Sequence, residues 1–318
     1  MASPTRAPGG TPAGEDAVVR RIAAVFEQVL GAPPPGEVWI GDDAAVVAAP
    51  AGRFVFATDA AVGGVHADLS LTGLDDLVWK ALVATVSDIG AVGARPTYAV
   101  VDFCAPSGTD LVLLATGVAE AAAACACPVV GGDVTTAADV VVAVAATGVL
   151  EGEGPAVLRS GASQGDVLFV TGPLGASAAG LRVLRTGAPG PSSAVAAHRR
   201  PRARIAEGVE ARRAGATAMM DVSDGLGIDL HRLAEASGVG VALDGVPVAD
   251  GATEEEALGG GEDFELVVAT PDPARLVGAF AAAGLRAPIE IGRCTDDPAE
   301  RTLRGLPLAR TGFEHRLG

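Results

Sequence analysis

A chain of 318 residues, 49% hydrophobic and 19% charged, can bury a large core, and about 150 residues per domain predicts two domains. Its formal net charge of -16 excludes a binder of nucleic-acid backbones, which needs clustered Lys and Arg, and suits cation binding or solubility instead. Helix-like and strand-like segments alternate and Ala, Val and Gly dominate, so the fold class is read as α/β (α+β) with an aliphatic core, aromatics being only 3%.

Residues 1–13, rich in Pro, Gly, Thr and Ala without an apolar period, are predicted to be a disordered N-terminal extension. From Glu15 to Leu30, apolar residues at Val18, Val19, Ile22, Val25, Phe26 and Val29 keep a helical period that Gly31 and a proline run stop. Val38 to Ile40, Val46 to Ala48 and Phe54 to Ala57 read as short strands, the last delivering Thr58 and Asp59 at its end. A helix is expected over Asp75 to Ala91, a strand over Tyr98 to Phe103 and a helix over Asp110 to Cys125. A short strand at Val129 and Val130 should precede Gly131-Gly132-Asp133, and a further strand should run from Val140 to Val149. The Glu, Gly and Pro residues from Glu151 to Pro155 mark the division between an N-terminal domain, 14–152, and a C-terminal α/β domain, 153–318.

In the second half Asp166 to Thr171 is strand-like and leads through a glycine-bearing turn, Gly172 to Gly180, into an Ala/Leu helix. That turn lacks the Gly-Lys-Ser/Thr ending of a P-loop and is read as a tight turn. Pro189 to Ser193 is predicted as a loop, and the one basic cluster, His198 to Arg204, as the solvated start of a helix reaching Arg213. Ala218 to Met220 precedes Asp221, Leu226 to Ser237 reads as a helix, and Phe264 to Ala269 as a strand. A helix over Ala274 to Ala283, a strand at Ile289 to Ile291 and an irregular tail complete the chain. The four cysteines, Cys104, Cys125, Cys127 and Cys294, form no CxxC pair, which argues for reduced thiols and a cytoplasmic location. No apolar run approaches the roughly 20 residues a bilayer span needs, so no membrane partner is expected.

Chemistry is concentrated in the acidic segments. Gly41-Asp42-Asp43 sets two mutually repelling carboxylates side by side, and related settings recur at Thr58-Asp59, Ser87-Asp88, Gly131-Gly132-Asp133, Asp221-Val222-Ser223-Asp224-Gly225 and Gly259-Gly260-Gly261-Glu262-Asp263. One such segment is ordinary turn chemistry; the recurrence predicts a shared site. Mg²⁺ in phosphate chemistry is held by a few carboxylates, waters and substrate phosphates, and Asp43, Asp59, Asp88, Asp133 and Asp221 or Asp224 are the candidate donors. Arg159 can serve as a phosphate fork or as plain surface charge. No nucleophile elbow or paired metal-ligand histidines support covalent catalysis.

As an ordered set these segments, together with Gly64-Val65-His66, Lys80-Ala81-Leu82, Arg159-Ser160-Gly161-Ala162 and Gly260-Gly261-Glu262-Asp263-Phe264-Glu265-Leu266, resemble the thiamine-monophosphate kinase family over nearly the whole chain after Gly14. The resemblance implies a two-domain aminoimidazole-ribonucleotide synthetase-like fold whose N-terminal domain pairs in a homodimer. It implies phosphorylation of thiamine monophosphate by ATP to thiamine diphosphate. It further implies Mg²⁺ ligation by Asp43, Thr58, Asp59, Asp88, Asp133, Asp221 and Asp224, ATP contact by Gly132, Asp133, Arg159 and Ser223, and thiamine-phosphate contact by His66, Glu262 and Phe313. Ala57, Gly63 and Ala67 depart from the family's usual residues, and Phe313 sits in a short tail. Two rival readings stand beside this one. Another ATP-using member of the superfamily would carry a reactive Cys in an N-terminal glycine-rich loop or at its end, whereas the first Cys is Cys104 and the last residues are Arg316-Leu317-Gly318. A non-catalytic cation- or nucleotide-binding protein would have no need of the full set Asp133, Asp224 and Glu262.

Overall fold

The computed structural model describes residues 15–40, 42 and 44–315; the expected N-terminal extension and Asp43 lie outside them. Helix α1 (Glu15–Leu30) follows its predicted period and buries Ile22 and Phe26. Four strands, β1 (Arg53–Val62), β2 (Arg95–Ala105), β3 (Val129–Thr136) and β4 (Val141–Leu150), form a sheet in the order β1-β4-β2-β3. Helix α3 (Leu111–Ala124) links the parallel pair β2 and β3, with Asp110 capping its first turn by accepting from the N–H groups of Val112 and Leu113. Helix α2 (Leu74–Ala91) lies across one face of this sheet with Leu77, Leu82, Val86 and Ile89 fully buried. The other face is open: Phe54, Phe56 and Val100 are 44%, 75% and 40% exposed.

The second sheet has the order β11-β10-β7-β9-β5-β8-β6 and is built from β5 (Val167–Val170), β6 (Ala218–Asp221), β7 (Gly240–Leu243), β8 (Leu266–Thr270), β9 (Ile289–Thr295), β10 (Arg301–Leu303) and β11 (Leu306–Pro307). Helices α4 (Ala176–Thr186), α5 (Ser192–Arg199), α6 (Ile205–Arg213), α7 (Leu226–Ser237), α8 (Glu254–Gly259) and α9 (Pro273–Ala282) complete the chain. The fully buried strand β8, between β5 and the edge strand β6, reads as a nearly continuous apolar run, as strands covered on both faces do. Two glycines let the halves touch: a Cβ on Gly208 of α6 would meet the Gly90 carbonyl of α2 at 2.0 Å. Arg200 reaches Asp75 at 2.8 Å, Asp76 at 3.1 Å and Glu120 at 2.6 Å, with its guanidinium over the Trp79 ring.

Several expectations change. Val38 to Ile40 and Val46 to Ala48 are not strands: among the described residues they form isolated bridges, Val38 with Val46 and Ile40 with Asp42, because the pairing does not continue to neighbouring described residues. Thr58 and Asp59 lie inside β1, paired with Ala145 and Val144, rather than at a strand end. Gly131, Gly132 and Asp133 likewise lie within β3, where a Cβ on Gly132 would meet the Val101 carbonyl at 1.9 Å. The loop expected at Pro189 to Ser193 gives way to α5 from Ser192. Its last residues are His198 and Arg199, so the basic cluster ends one helix and Pro201 separates it from the next. The tail is less irregular than expected, carrying β10 and β11.

Candidate functional site

Along β1 the side chains alternate, with Phe54 and Phe56 exposed while Val55 and Ala57 are half-buried. Thr58 shares the register of Phe54 and Phe56, and its hydroxyl donates to the Val144 carbonyl at 2.9 Å. Asp59 takes the opposite register and acts electrostatically on Asp88, which α2 presents at its C-terminal end. Protein packed around Asp88 raises its pKa, the Asp59 charge adds to the rise, and the Arg159 guanidinium opposes it, although the side chain still reaches solvent. Next to it, Asp221 at the end of β6 is 2% exposed. Burial, then the charge of Asp88, pushes its pKa up to about 6, against a 2.5 Å hydrogen bond from the Ser87 hydroxyl and the charge of Arg159.

The segment after β6 is a folded nest. Asp229, fully buried on α7, accepts at Oδ2 from the backbone N–H groups of Ser223, Asp224 and Gly225 at 3.1, 3.0 and 3.1 Å, and at Oδ1 from Arg232 at 2.8 Å. Burial is the chief cause of its rise to about 6, and the charges of Asp224 and Asp221 add to it. Arg232 also donates to Asp224 Oδ2 at 2.5 Å. The Ser223 carbonyl accepts from the Glu262 N–H at 2.8 Å and the Asp224 carbonyl from the Phe313 N–H at 2.9 Å, so the glycine-rich loop and the tail are stitched to the same turn.

A cavity of about 570 Å³ opens between these elements, lined by Asp59, His66, Ser223, Asp224, Glu262 and Phe313. His66 Nδ1 accepts from the Val62 N–H at 3.0 Å, which places its ring proton on Nε2. His315 lies 5.2 Å from His66 and 4.8 Å from Phe313, ring centre to ring centre, extending an aromatic wall. Beneath Glu262, Lys80 of α2 donates to Oε2 at 2.7 Å. The buried His198 hydrogen-bonds to the Ser177 hydroxyl at 3.1 Å. Burial, then the charges of Lys80, Arg185 and Arg199, hold it down to about 3, so it is neutral near pH 7. The turn before α4 presents no free cradle, because the Gly175 and Ser177 N–H groups donate to Asp263 at 2.5 and 3.1 Å.

The structure therefore gathers Asp59, His66, Ser223, Asp224, Glu262 and Phe313 around one cavity, with Asp88, Asp221 and Arg159 electrostatically coupled beside it. It does not bring Gly132 and Asp133 there: they line a second cavity of about 960 Å³ on the open face of the first sheet, with Asp42 and Asp102. Asp43 lies outside the described residues. Among the described residues no three acidic, His or Cys side chains stand together as a ready cage. The donor chemistry nonetheless fits a hard divalent cation, which needs only one or two carboxylates and would relieve the like-charge crowding of Asp59, Asp88 and Asp221. Sequence reasoning missed Asp229, Arg232, His198 and His315 as parts of the site. The one local signal available was the spacing of Asp229 and Arg232 at i, i+3 on a well-predicted helix.

Family models described as AIR synthase related protein, N-terminal domain and C-terminal domain, match residues 41–150 and 163–303. The thiamine-monophosphate kinase of Mycobacterium tuberculosis is 38% identical over 92% of this chain and 88% of its own length. That of Bacillus subtilis is 33% identical over 88% and 93%. Among solved structures, the thiamine-monophosphate kinase of Stenotrophomonas maltophilia superposes with a TM-score of 0.79 at 29% identity, over 93% of this chain and 98% of that one. The complex of AaThiL with AMPPCP and TMP superposes with a TM-score of 0.74 at 29% identity, over 93% and 96%. Hydrogenase maturation protein HypE, at 20% identity and a TM-score of 0.72, shares the fold.

Proposed function

Since the chain belongs to the thiamine-monophosphate kinase family, we propose that it transfers the γ-phosphoryl group of ATP to thiamine monophosphate, giving thiamine diphosphate and ADP. The observation that carries this reading is the convergence of Asp59 and His66 from the first half with Ser223, Asp224, Glu262 and Phe313 from the second on one cavity.

A phosphate oxygen of the acceptor attacks the γ-phosphorus in line; the new P–O bond forms as the bond to the β-phosphate oxygen breaks, and the electron pair leaves on ADP. The acceptor is already anionic near neutral pH, so no general base is needed and no phosphoenzyme forms. Asp59, Asp88, Asp221 and Asp224, with Asp43 as a further donor, would hold Mg²⁺, which would neutralise the charge of the phosphates. Arg159 and Ser223 serve the nucleotide, with the Arg159 charge already directed at Asp88 and Asp221. His66 offers its Nε2 proton to the acceptor phosphate, Phe313 and His315 offer flat apolar faces to its heterocycles, and Glu262 accepts from its amino group. Asp133 stands on the open sheet face, and the apolar side chains around it support pairing of two copies through that face.

Incubation with ATP, Mg²⁺ and thiamine monophosphate is expected to yield thiamine diphosphate. Turnover of an aminoimidazole precursor in place of thiamine monophosphate would overturn the assignment, and rapid-quench capture of a phosphorylated protein would overturn direct transfer.

A further inference from the structure

The Glu262 carboxylate is held in an unusual way. Its backbone is left-handed, with φ 65°, and Phe264 two residues on has φ 49°, conformations that non-glycine residues adopt at a cost. Hydrogen bonds from the Glu262 N–H to Ser223 and from the Phe264 N–H to Val222 keep the loop in that shape. The backbone is therefore fixed by the second domain. The side chain is fixed by the first, through Lys80, whose side chain is only 4% exposed and whose Nζ lies 2.7 Å from Oε2. A lysine this buried is stable only when paired, and Glu262 is its partner. Oε1 of Glu262 has no hydrogen-bond partner among the described residues. His198 Nδ1 stands 3.9 Å from Oε2, but it is engaged by Ser177 at 3.1 Å.

We propose that Lys80 is a positioning residue for the acceptor: from beneath the cavity it pins one oxygen of Glu262 and fixes the carboxylate plane, so that the other oxygen is presented to the substrate. The inference rests on the reading of Glu262 as a thiamine monophosphate contact. The organic part of that acceptor carries a cationic ring and an amino group, and a carboxylate with one oxygen anchored offers such a group a single, pre-aimed acceptor. Without the ammonium the side chain is free to rotate, and its orientation must be bought from binding energy. Helix α2 thereby takes part in acceptor recognition without touching the acceptor.

The test is a calorimetric titration of thiamine monophosphate into the full chain as native protein, Lys80→Met, Lys80→Arg, Glu262→Gln and the Lys80→Met/Glu262→Gln double variant, with thermal melting of each. Lys80→Met is expected to weaken binding roughly 10- to 100-fold, the scale of a misplaced contact. Lys80→Arg should recover most of the loss. In the Glu262→Gln background Lys80→Met should change affinity by no more than about twofold, as should its effect on AMPPCP binding with Mg²⁺. Equal losses in both backgrounds, or native affinity in Lys80→Met, would overturn the proposal. Should Lys80→Met not fold, Lys80→Gln, which keeps a donor without the charge, takes its place in the same cycle. A native chain that binds thiamine monophosphate while Lys80→Met binds it equally well sinks this inference alone; a native chain that binds none sinks the assignment of Glu262 as well.

Discussion

At the scale of single residues, the side chain that organises the site is Asp229, a carboxylate with no place in any acidic segment of the sequence. It gathers three consecutive N–H groups and one guanidinium while fully buried. Asp229→Ala leaves those donors unsatisfied and is expected to cost about 3–5 kcal/mol in denaturant unfolding, as the loss of one partner of a buried ion pair does. His198 gives the pH-dependent case. Its folded value of about 3 lies below the ordinary 6.5, so between these values the unfolded chain binds a proton that the folded chain refuses. Stability from this group is complete above pH 6.5 and is lost as pH falls toward 3. The groups that act on it are Lys80, Arg185, Arg199, Glu262 and Ser177. Melting temperatures of native protein and His198→Asn should converge from pH 7 to pH 4; a constant gap would show that His198 does not set the acid limb. His198 was hidden in the sequence because a histidine among arginines reads as surface, and only α5 packing against α4 turns it inward.

At the scale of elements, the acidic segments that look alike in sequence take different forms. Among the described segments, Thr58-Asp59 and Gly132-Asp133 are strand interiors, Ser87-Asp88 is the last part of a helix, and Asp221 to Gly225 and Gly260 to Asp263 run into loops. Composition and spacing marked the donors, but glycine and aspartate suggest turns whether or not a neighbouring strand pairs across them. Gly132 was legible as special; that its freedom serves a close approach to β2 depends on long-range pairing. Helices were easier to read because their period is local: α7 runs from Leu226 to Ser237 as predicted. The contact between α2 and α6 was not legible, since nothing near Gly208 names Gly90 as its partner. Gly208→Ala would force a methyl onto that carbonyl and is expected to destabilise the chain by about 1–3 kcal/mol, read as a lowered melting temperature, because the helices must separate.

At the scale of the molecule, the proposed reaction asks an acidic protein to draw two anionic substrates into an acidic cleft. With a formal charge of -16, nucleotide binding is expected to depend on a divalent cation, and chelation should lower AMPPCP affinity by about 100-fold, since like charges brought together cost several kcal/mol. Calorimetry with and without chelator reads this directly. The open sheet face makes a second claim. Native protein should sediment as a dimer and Phe56→Glu, which places a charge on a residue 75% exposed in the single chain, as a monomer. The two-domain plan was readable from the order of the motifs; which face remains open was not, because strand alternation says which residues share a side but not what covers it.

Helix α2 carries Lys80 under the loop that holds Glu262 and Ser87 against Asp221, seven residues apart on one rigid rod. Two turns of helix set that separation at roughly 10 Å along the axis. The rod thus sets the distance between the loop that carries Glu262 and the carboxylate of Asp221. Inserting one residue between positions 80 and 87 would swing the two ends about 100° apart and remove both contacts from the same side. A change in that distance would have to come from the loop that carries Glu262 or from β6, since the helix itself cannot be stretched.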